Sequence, residues 1–106
     1  MAQTIDEITA NYTDEKTGVQ LVEELDKVIL SRGSWTTIIF KYREFAPKTN
    51  TWSLPKARIE RFQKRNGEFR SQSRFKITSP KQAMQIVQVL NDWFKDSDDA
   101  GYTEEA

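Results

Sequence analysis

Between residues 17 and 31 the apolar positions Val19, Val22, Leu25, Val28 and Ile29 fall at helical intervals, with Leu21 widening the stripe. Gly33 stands where a helix would stop, so the pattern predicts a first helix of about four turns. The period then changes. From Trp35 to Phe45 the chain is rich in Thr, Ile and aromatic residues and alternates Ile38, Phe40 and Tyr42 against Ile39, Lys41 and Arg43, the signature of a long strand. The stretch "APKTNTWS" brings a Pro and an Asn and reads as a connecting loop. Lys56 to Lys64 and Glu68 to Thr78 then read as a hairpin around Arg65, Asn66 and Gly67. Ser79 is suited to cap a second helix, with Pro80 at the first helical position, where its missing N–H costs little. Ala83, Ile86, Val87, Leu90 and Phe94 form the stripe of that helix, and Val89 and Trp93 broaden it.

This order of elements predicts an α+β fold: an antiparallel sheet of three to four strands with an N-terminal and a C-terminal helix packed on one face. A single domain is expected over 17–95. Residues 1–16 and 96–106 are acidic and poor in apolar groups, and are expected to be flexible tails. The stripe of the second helix is wider than one sheet can cover. Ile86, Val89, Leu90 and Trp93 are therefore expected at an interface, either with the first helix or with a second copy of the chain, and a homodimer is the expected assembly.

Composition narrows the chemistry more than the fold. A chain of 106 residues, 37% hydrophobic, suffices for one small core. No run of 18 apolar residues occurs, and the start "MAQTIDEITANYTDEK" lacks the basic end and apolar block of a secretory signal. An intracellular, cytoplasmic protein with no membrane partner is expected, association with a nucleoid being one form of this. With neither Cys nor His there is no disulfide, no thiolate or imidazole metal site and no usual general base. Glu44, Glu60 and Glu68 stand isolated among cations, and neither a Gly-rich phosphate loop nor a serine elbow is present. No cofactor, no metal and no enzymatic activity are expected.

The formal net charge of zero hides a strong segregation. Residues 1–30 and 82–106 are acidic, whereas 41–81 hold twelve Lys or Arg against Glu44, Glu60 and Glu68. Such a segment is an electrostatic footprint for a polyanion. Register decides which face carries it. A two-residue Asn-Gly turn would set Ile59 opposite Arg74 and mix apolar with basic groups on both faces. A three-residue loop sets Ala57 opposite Phe75 and Ile59 opposite Ser73, and gathers Lys56, Arg58, Phe62 and Lys64 with Arg70, Gln72, Arg74 and Lys76 on the other side. The second register separates the faces and is the one expected, although it leaves Arg61 and Gln63 on the apolar side. The candidate binding residues are then Lys41, Arg43, Phe45, Trp52, Lys56, Arg58, Phe62, Lys64, Arg70, Arg74 and Lys76. Cations along a sheet can follow phosphates while exposed rings stack on splayed bases, which suits a single strand.

The run "ARIERFQKRNGEFRSQSRFKITSPKQAMQIVQVL" resembles the strand, hairpin, strand and helix of the positive cofactor four family, single-stranded DNA-binding transcriptional coactivators related in fold to the Whirly proteins. Arg58 to Phe62 resemble that family's first strand of the hairpin, Arg74, Phe75 and Lys76 its basic run, Ile77 and Thr78 the step before the helix, and Pro80 the helix start. "KYREF" is similar to the preceding strand, with Phe45 at the place of a base-contacting aromatic. The glycines flanking the family's basic run are absent, and Gln63 replaces a tryptophan. The resemblance implies a homodimer packed through its C-terminal helices, binding single-stranded nucleic acid and acting with the transcription machinery. Two alternatives stay open. The order α-β-β-β-α is also that of double-stranded RNA-binding domains, though here only Lys81 supplies a basic group in the first turn of the last helix. The basic sheet could also dock an acidic protein, as in an interaction adaptor.

Overall fold

The long apolar pattern near the N-terminus is a strand and not a helix. In the computed structural model, which describes residues 2–97, Gln20–Ser31 forms a 12-residue strand. It is the second of six, which run in order β1 (Tyr12–Thr13), β2 (Gln20–Ser31), β3 (Trp35–Ala46), β4 (Thr51–Trp52), β5 (Lys56–Arg65) and β6 (Glu68–Ile77), followed by one helix, α1 (Pro80–Phe94). The strands form a curled antiparallel sheet in the order β1-β2-β3-β5-β6, with β4 paired to the end of β3. The expected two helices on a sheet of three to four strands are thus corrected to a larger sheet with a single C-terminal helix. Without a first helix, the α-β-β-β-α order that linked the chain to double-stranded RNA-binding domains is gone.

The error has an identifiable cause. The pairing of β2 with β3 slips between Glu24 and Asp26 and again between Ile29 and Ser31. Each slip inserts a residue, as a bulge does, and turns the following side chains to the other face. Val22 therefore shares a face with Ile29, and apolar residues that alternate locally appear in the sequence at intervals of three and four.

One face of the sheet, here the front, carries Thr36, Ile38, Phe40 and Tyr42 from β3 and Arg58, Glu60 and Phe62 from β5, all buried. Half of this face is covered by the N-terminal segment. The N–H of Phe69 donates to the carbonyl of Ala2 at the outer edge of β6, and Tyr12 pairs with Val22 at the outer edge of β2. Residues 2–12 therefore cross the front from edge to edge, bringing Ile8 and Ala10 into one cluster with Ile38, Phe40, Phe62 and Phe69. This strap is pinned by polar contacts. Lys27 donates through Nζ to the carbonyls of Ile5 (2.7 Å) and Ile8 (2.6 Å), and Glu24 Oε1 accepts from Thr9 Oγ1 and from the N–H of Ala10. The segment expected to be a flexible tail over 1–16 supplies part of the core instead. The acidic tail expected over 96–106 falls at 98–106 outside the described residues.

The opposite, back face is thinly covered. Ile39, Ala57 and Ile77 meet only the first turn of α1, around Pro80 and Ala83, leaving an apolar groove of about 330 Å³ between them. Ser79 caps the helix as its sequence suggests, its Oγ accepting from the N–H of Gln82 at 3.1 Å, an arrangement worth about 1 kcal/mol. Beyond that turn the helix leaves the sheet. None of its residues is buried, and Met84, Val87, Val89, Leu90, Trp93 and Phe94 are all exposed, as is Phe75 on the sheet beneath.

The hairpin register differs from both alternatives weighed from sequence. Asn66 and Gly67 have φ of 52° and 79°, so the turn has two central residues in left-handed conformation, the form that matches strand twist. Pairing runs Arg65 with Glu68 and Phe62 with Ser71, then slips at Gln72, so that Ile59 faces Phe75 and Arg58 faces Lys76. The slip restores the separation of faces expected near Lys56 and Arg58. At the tip it places Ser71 and Phe69, not Gln72 and Arg70, beside Phe62 and Lys64.

Candidate nucleic-acid interface

On the uncovered half of the front face, β5 and β6 bring four cations together. Arg58 and Lys76 are cross-strand partners, Arg74 lies opposite Glu60, and Lys56 lies opposite Tyr42. Two carboxylates stand among them. Lys56 Nζ donates to Glu44 Oε1 at 2.6 Å, a contact that raises the lysine pKa. Glu60, only 2% exposed, accepts at Oε2 from Arg74 Nη2 (3.0 Å) and from Ser71 Oγ (2.6 Å). Its Oε1 lies 3.0 Å from Arg58 Nε, close enough for ion pairing, but neither atom has a hydrogen-bond partner. The pair along one strand is therefore held by charge and not by a directed hydrogen bond.

Arg58 is buried beside aromatic rings. Its guanidinium carbon is 5.4 Å from the ring centre of Phe40 and 5.2 Å from that of Tyr42, within cation–π range. Tyr42 is fully enclosed, and its hydroxyl has no hydrogen-bond partner. Burial, reinforced by the charge of Glu44, raises its pKa, while Arg58, Lys56 and Arg74 pull it the other way. The hydroxyl thus sits in the middle of the charged group.

Lys56 also lines an open cleft of about 810 Å³ at the end of the sheet, between the β1–β2 hairpin and the β3–β4 turn. Its walls include Tyr12, Val22, Phe45 and Trp52. Phe45 and Trp52 are cross-strand partners with ring centres 5.0 Å apart. Arg43 lies 4.3 Å from the Trp52 ring and is paired with Glu23.

The sequence-derived residues are therefore distributed in three places. Lys56, Arg58, Arg74 and Lys76 share the open front face. Lys41 and Arg43 lie on the alternate positions of β3, with Lys41 opposite Asp26 on β2, and Phe45 and Trp52 close the cleft. At the hairpin tip Lys64 is exposed, with its Nζ 5.5 Å from the Phe69 ring, and Arg70 stands 3.6 Å from Glu68. Phe62, expected as an exposed stacking ring, is 7% exposed and belongs to the core under the strap. Sequence reasoning missed Tyr12, Glu60 and Tyr42. Tyr12 falls in the segment expected to be a tail, and Glu60 reads from the sequence as an isolated acid among cations. The alternation of Tyr42 with Phe40 and Ile38 was the available signal for its burial.

The proposed interface residues of the helix lie on its outer part. Ile86 is half-buried, Val89 and Leu90 are exposed, Trp93 is 70% exposed, and together with Gln82 and Gln85 they line a shallow groove. Among the described residues no group of three or more acidic side chains is arranged to hold a metal, and no helix is long and apolar enough to cross a membrane. Comparison with known proteins returns no family model, no curated protein and no solved structure that matches this chain.

Proposed function

We propose that the protein binds single-stranded nucleic acid without catalysing a reaction, with the phosphates on the open front face and bases entering the aromatic cleft. The observation that carries this reading is the continuity of the two regions: Lys56 belongs both to the group formed with Arg58, Arg74 and Lys76 and to the cleft walled by Tyr12, Phe45 and Trp52. Four cations against Glu44 and Glu60 leave this half of the face net positive, which attracts a polyanion in a salt-dependent way. Bases must leave a duplex stack to enter a cleft, so a single strand is the ligand that uses both halves. Transcription or DNA maintenance is the process to which such binding belongs on this reading.

The second part of the proposal is a homodimer. A 15-residue helix with no buried residue has little stability of its own in water. It exposes Leu90, Trp93 and Phe94, and the back face of the sheet leaves Val28 and Phe75 about half exposed. Both halves of an apolar contact are present on one chain, and a second copy related by a two-fold axis would cover each with the other. Sedimentation at micromolar concentration is expected to give twice the chain mass, and a monomer would remove this part.

The binding reading is tested by tryptophan fluorescence during titration with single-stranded DNA, duplex DNA and duplex RNA oligonucleotides at two salt concentrations. Single strands are expected to bind most tightly, with affinity falling as salt rises. Equal affinity for duplexes, or binding insensitive to salt, would refute it.

A further inference from the structure

The slip at Gln72 divides the cations of β6 between the two faces of the sheet. In an unbroken alternation Arg70, Arg74 and Lys76 would share one face, but Arg70 is the cross-strand partner of Gln63, whereas Arg74 and Lys76 are those of Glu60 and Arg58. Arg74 and Lys76 therefore stand on the front and Arg70 on the back. β6 is the last strand of the sheet, and its residues from Arg70 to Lys76 are all exposed. One edge strand thus offers cations on both sides.

On the back, Arg70 joins a group that the front-face site does not use. Trp35, Gln63 and Arg70 form one row across β3, β5 and β6, and Thr37, Arg61 and Ser73 form the next. The guanidinium carbon of Arg61 stands 4.5 Å from the centre of the Trp35 ring, and Arg65 Nε donates to Gln63 Oε1 at 3.0 Å. Against these three arginines stands Glu68, 3.6 Å from Arg70. Arg65 and Arg70 are exposed, while Trp35, Arg61 and Gln63 are half-buried, so none is sealed from solvent. Trp35 lies outside the hydrophobic cluster of the core, and α1 meets the sheet near Ala57 and Ile77, at the other end of β5 and β6. Arginines at a hairpin tip also deter edge pairing, but that role needs no tryptophan on an open face and no guanidinium over its ring.

We infer that Trp35, Arg61, Gln63 and Arg70 form a second contact surface for single-stranded nucleic acid, on the back of the sheet, which one strand reaches from the front-face site by passing around the β6 edge. A base stacks on an aromatic ring or on a guanidinium, and here the two stand together. Gln63, its Oε1 taken by Arg65, has amide N–H donors to offer a base edge, and Arg65 and Arg70 supply charge for phosphates. The N–H of Lys64 donates to the carbonyl of Ser34 at 2.7 Å, closing the sheet beside Trp35 and fixing the platform before a ligand arrives. The inference rests on reading the protein as a single-strand binder, and adds to that reading a second surface and a path between the two.

The test uses the full chain with oligothymidylates of two lengths, about six nucleotides, within the site size of one binding face, and about twenty, beyond it. The indole N–H resonances of Trp35 and Trp52 are followed by NMR, and affinity by anisotropy of the labelled oligonucleotide. Both indoles are expected to shift saturably with the long strand. Arg61→Gln should weaken the long strand roughly tenfold, as loss of one stacked base does, and leave the short one, held on the front, unchanged. Arg70→Gln, on a side chain 49% exposed, is the second variant and should flatten the salt dependence for the long strand alone. Long-strand affinity unchanged in both variants, or a Trp35 indole that stays still while that of Trp52 moves, would overturn the back surface and leave the front-face reading standing. Movement of Trp35 alone would remove the front-face reading and the path from it, and leave the back surface. Oligoglutamate serves as the charge control: if it moves Trp35 as far as the long strand does, the surface recognises charge and not bases, and its assignment to nucleic acid falls.

Discussion

Replacing Glu60 by Gln should weaken the fold and strengthen binding, two effects of opposite sign from one atom's charge. The side chains of Arg58 and Glu60 are 10% and 3% exposed, so their pairing counts as buried, while that of Arg74 is 46% exposed and its pairing with Glu60 is screened by water. Removing one partner of a buried pair costs about 3–5 kcal/mol because the remaining charge is left uncompensated, whereas an exposed pair contributes about 0–1 kcal/mol. Glutamine keeps one carbonyl oxygen that can still accept from a neighbour, which places the expected loss near the lower end, about 3 kcal/mol. For a domain of this size that corresponds to a fall of roughly 12–24 °C in Tm. The same substitution adds one unit of positive charge to the front face, so affinity for a single-stranded oligonucleotide should rise at low salt and the gain should fade as salt increases. Urea unfolding followed by tryptophan fluorescence measures the first effect, and fluorescence anisotropy of a labelled oligonucleotide, below the onset of unfolding, measures the second. A variant as stable as the parent to within about 0.5 kcal/mol would refute the claim that Glu60 compensates a buried charge. A folded variant that binds more weakly would refute its role as counterweight to the ligand.

Phe62→Ala should cost about 3–5 kcal/mol through the cavity left among Ile8, Ile38 and Phe69, with any loss of binding tracking loss of folded protein in a denaturation series; a stable variant that binds less well would return Phe62 to the interface. Alkaline unfolding should begin above about pH 10, since the pKa values of both Tyr42 and Lys56 are raised in the folded state. Stability from such groups is complete below their unfolded pKa and is lost as pH rises through the folded one, so Tyr42→Phe should flatten the decline in a pH series of urea midpoints, and an unaltered pH profile would count against it.

The parts of the fold legible in the sequence are those where one local rule acts alone. The alternation of Ile38, Phe40 and Tyr42 marks β3 and Ser79-Pro80 marks the start of α1, whereas Asn66-Gly67 marks the place of the hairpin turn but not its length, a two-residue turn standing where a three-residue loop was expected. β2 was illegible because its slips near Leu25 and Leu30 mimic the spacing of a helix. The strap was illegible because Ile5, Ile8 and Ala10 are too sparse to form a period, and their partners, Ile38, Phe40, Phe62 and Phe69, lie far along the chain on β3, β5 and β6. In the site, charge alone points to Lys56, Arg58, Arg74 and Lys76. Which face of β5 the strap covers decides that Phe62 is core and that Glu60 is shared, and no local pattern contains that information. The slip at Gln72 lies within the polar run "SQS", where moving a residue from one face to the other leaves the hydrophobic pattern unchanged.

The strap also sets an order of events during synthesis. Ala2 is made before its partners: the N–H that meets its carbonyl belongs to Phe69, and Ile8 shares its cluster with Phe62 and Phe69. At roughly 5–20 residues per second the strap waits several seconds for these partners to leave the ribosome. Contacts so distant in sequence must follow closure of the intervening sheet, so the strap is among the last pieces to dock. Throughout that interval Ile5 and Ile8 stand in water, and Asp6, Glu7, Asp14 and Glu15 around them act as gatekeepers that keep the waiting segment from associating with other nascent chains.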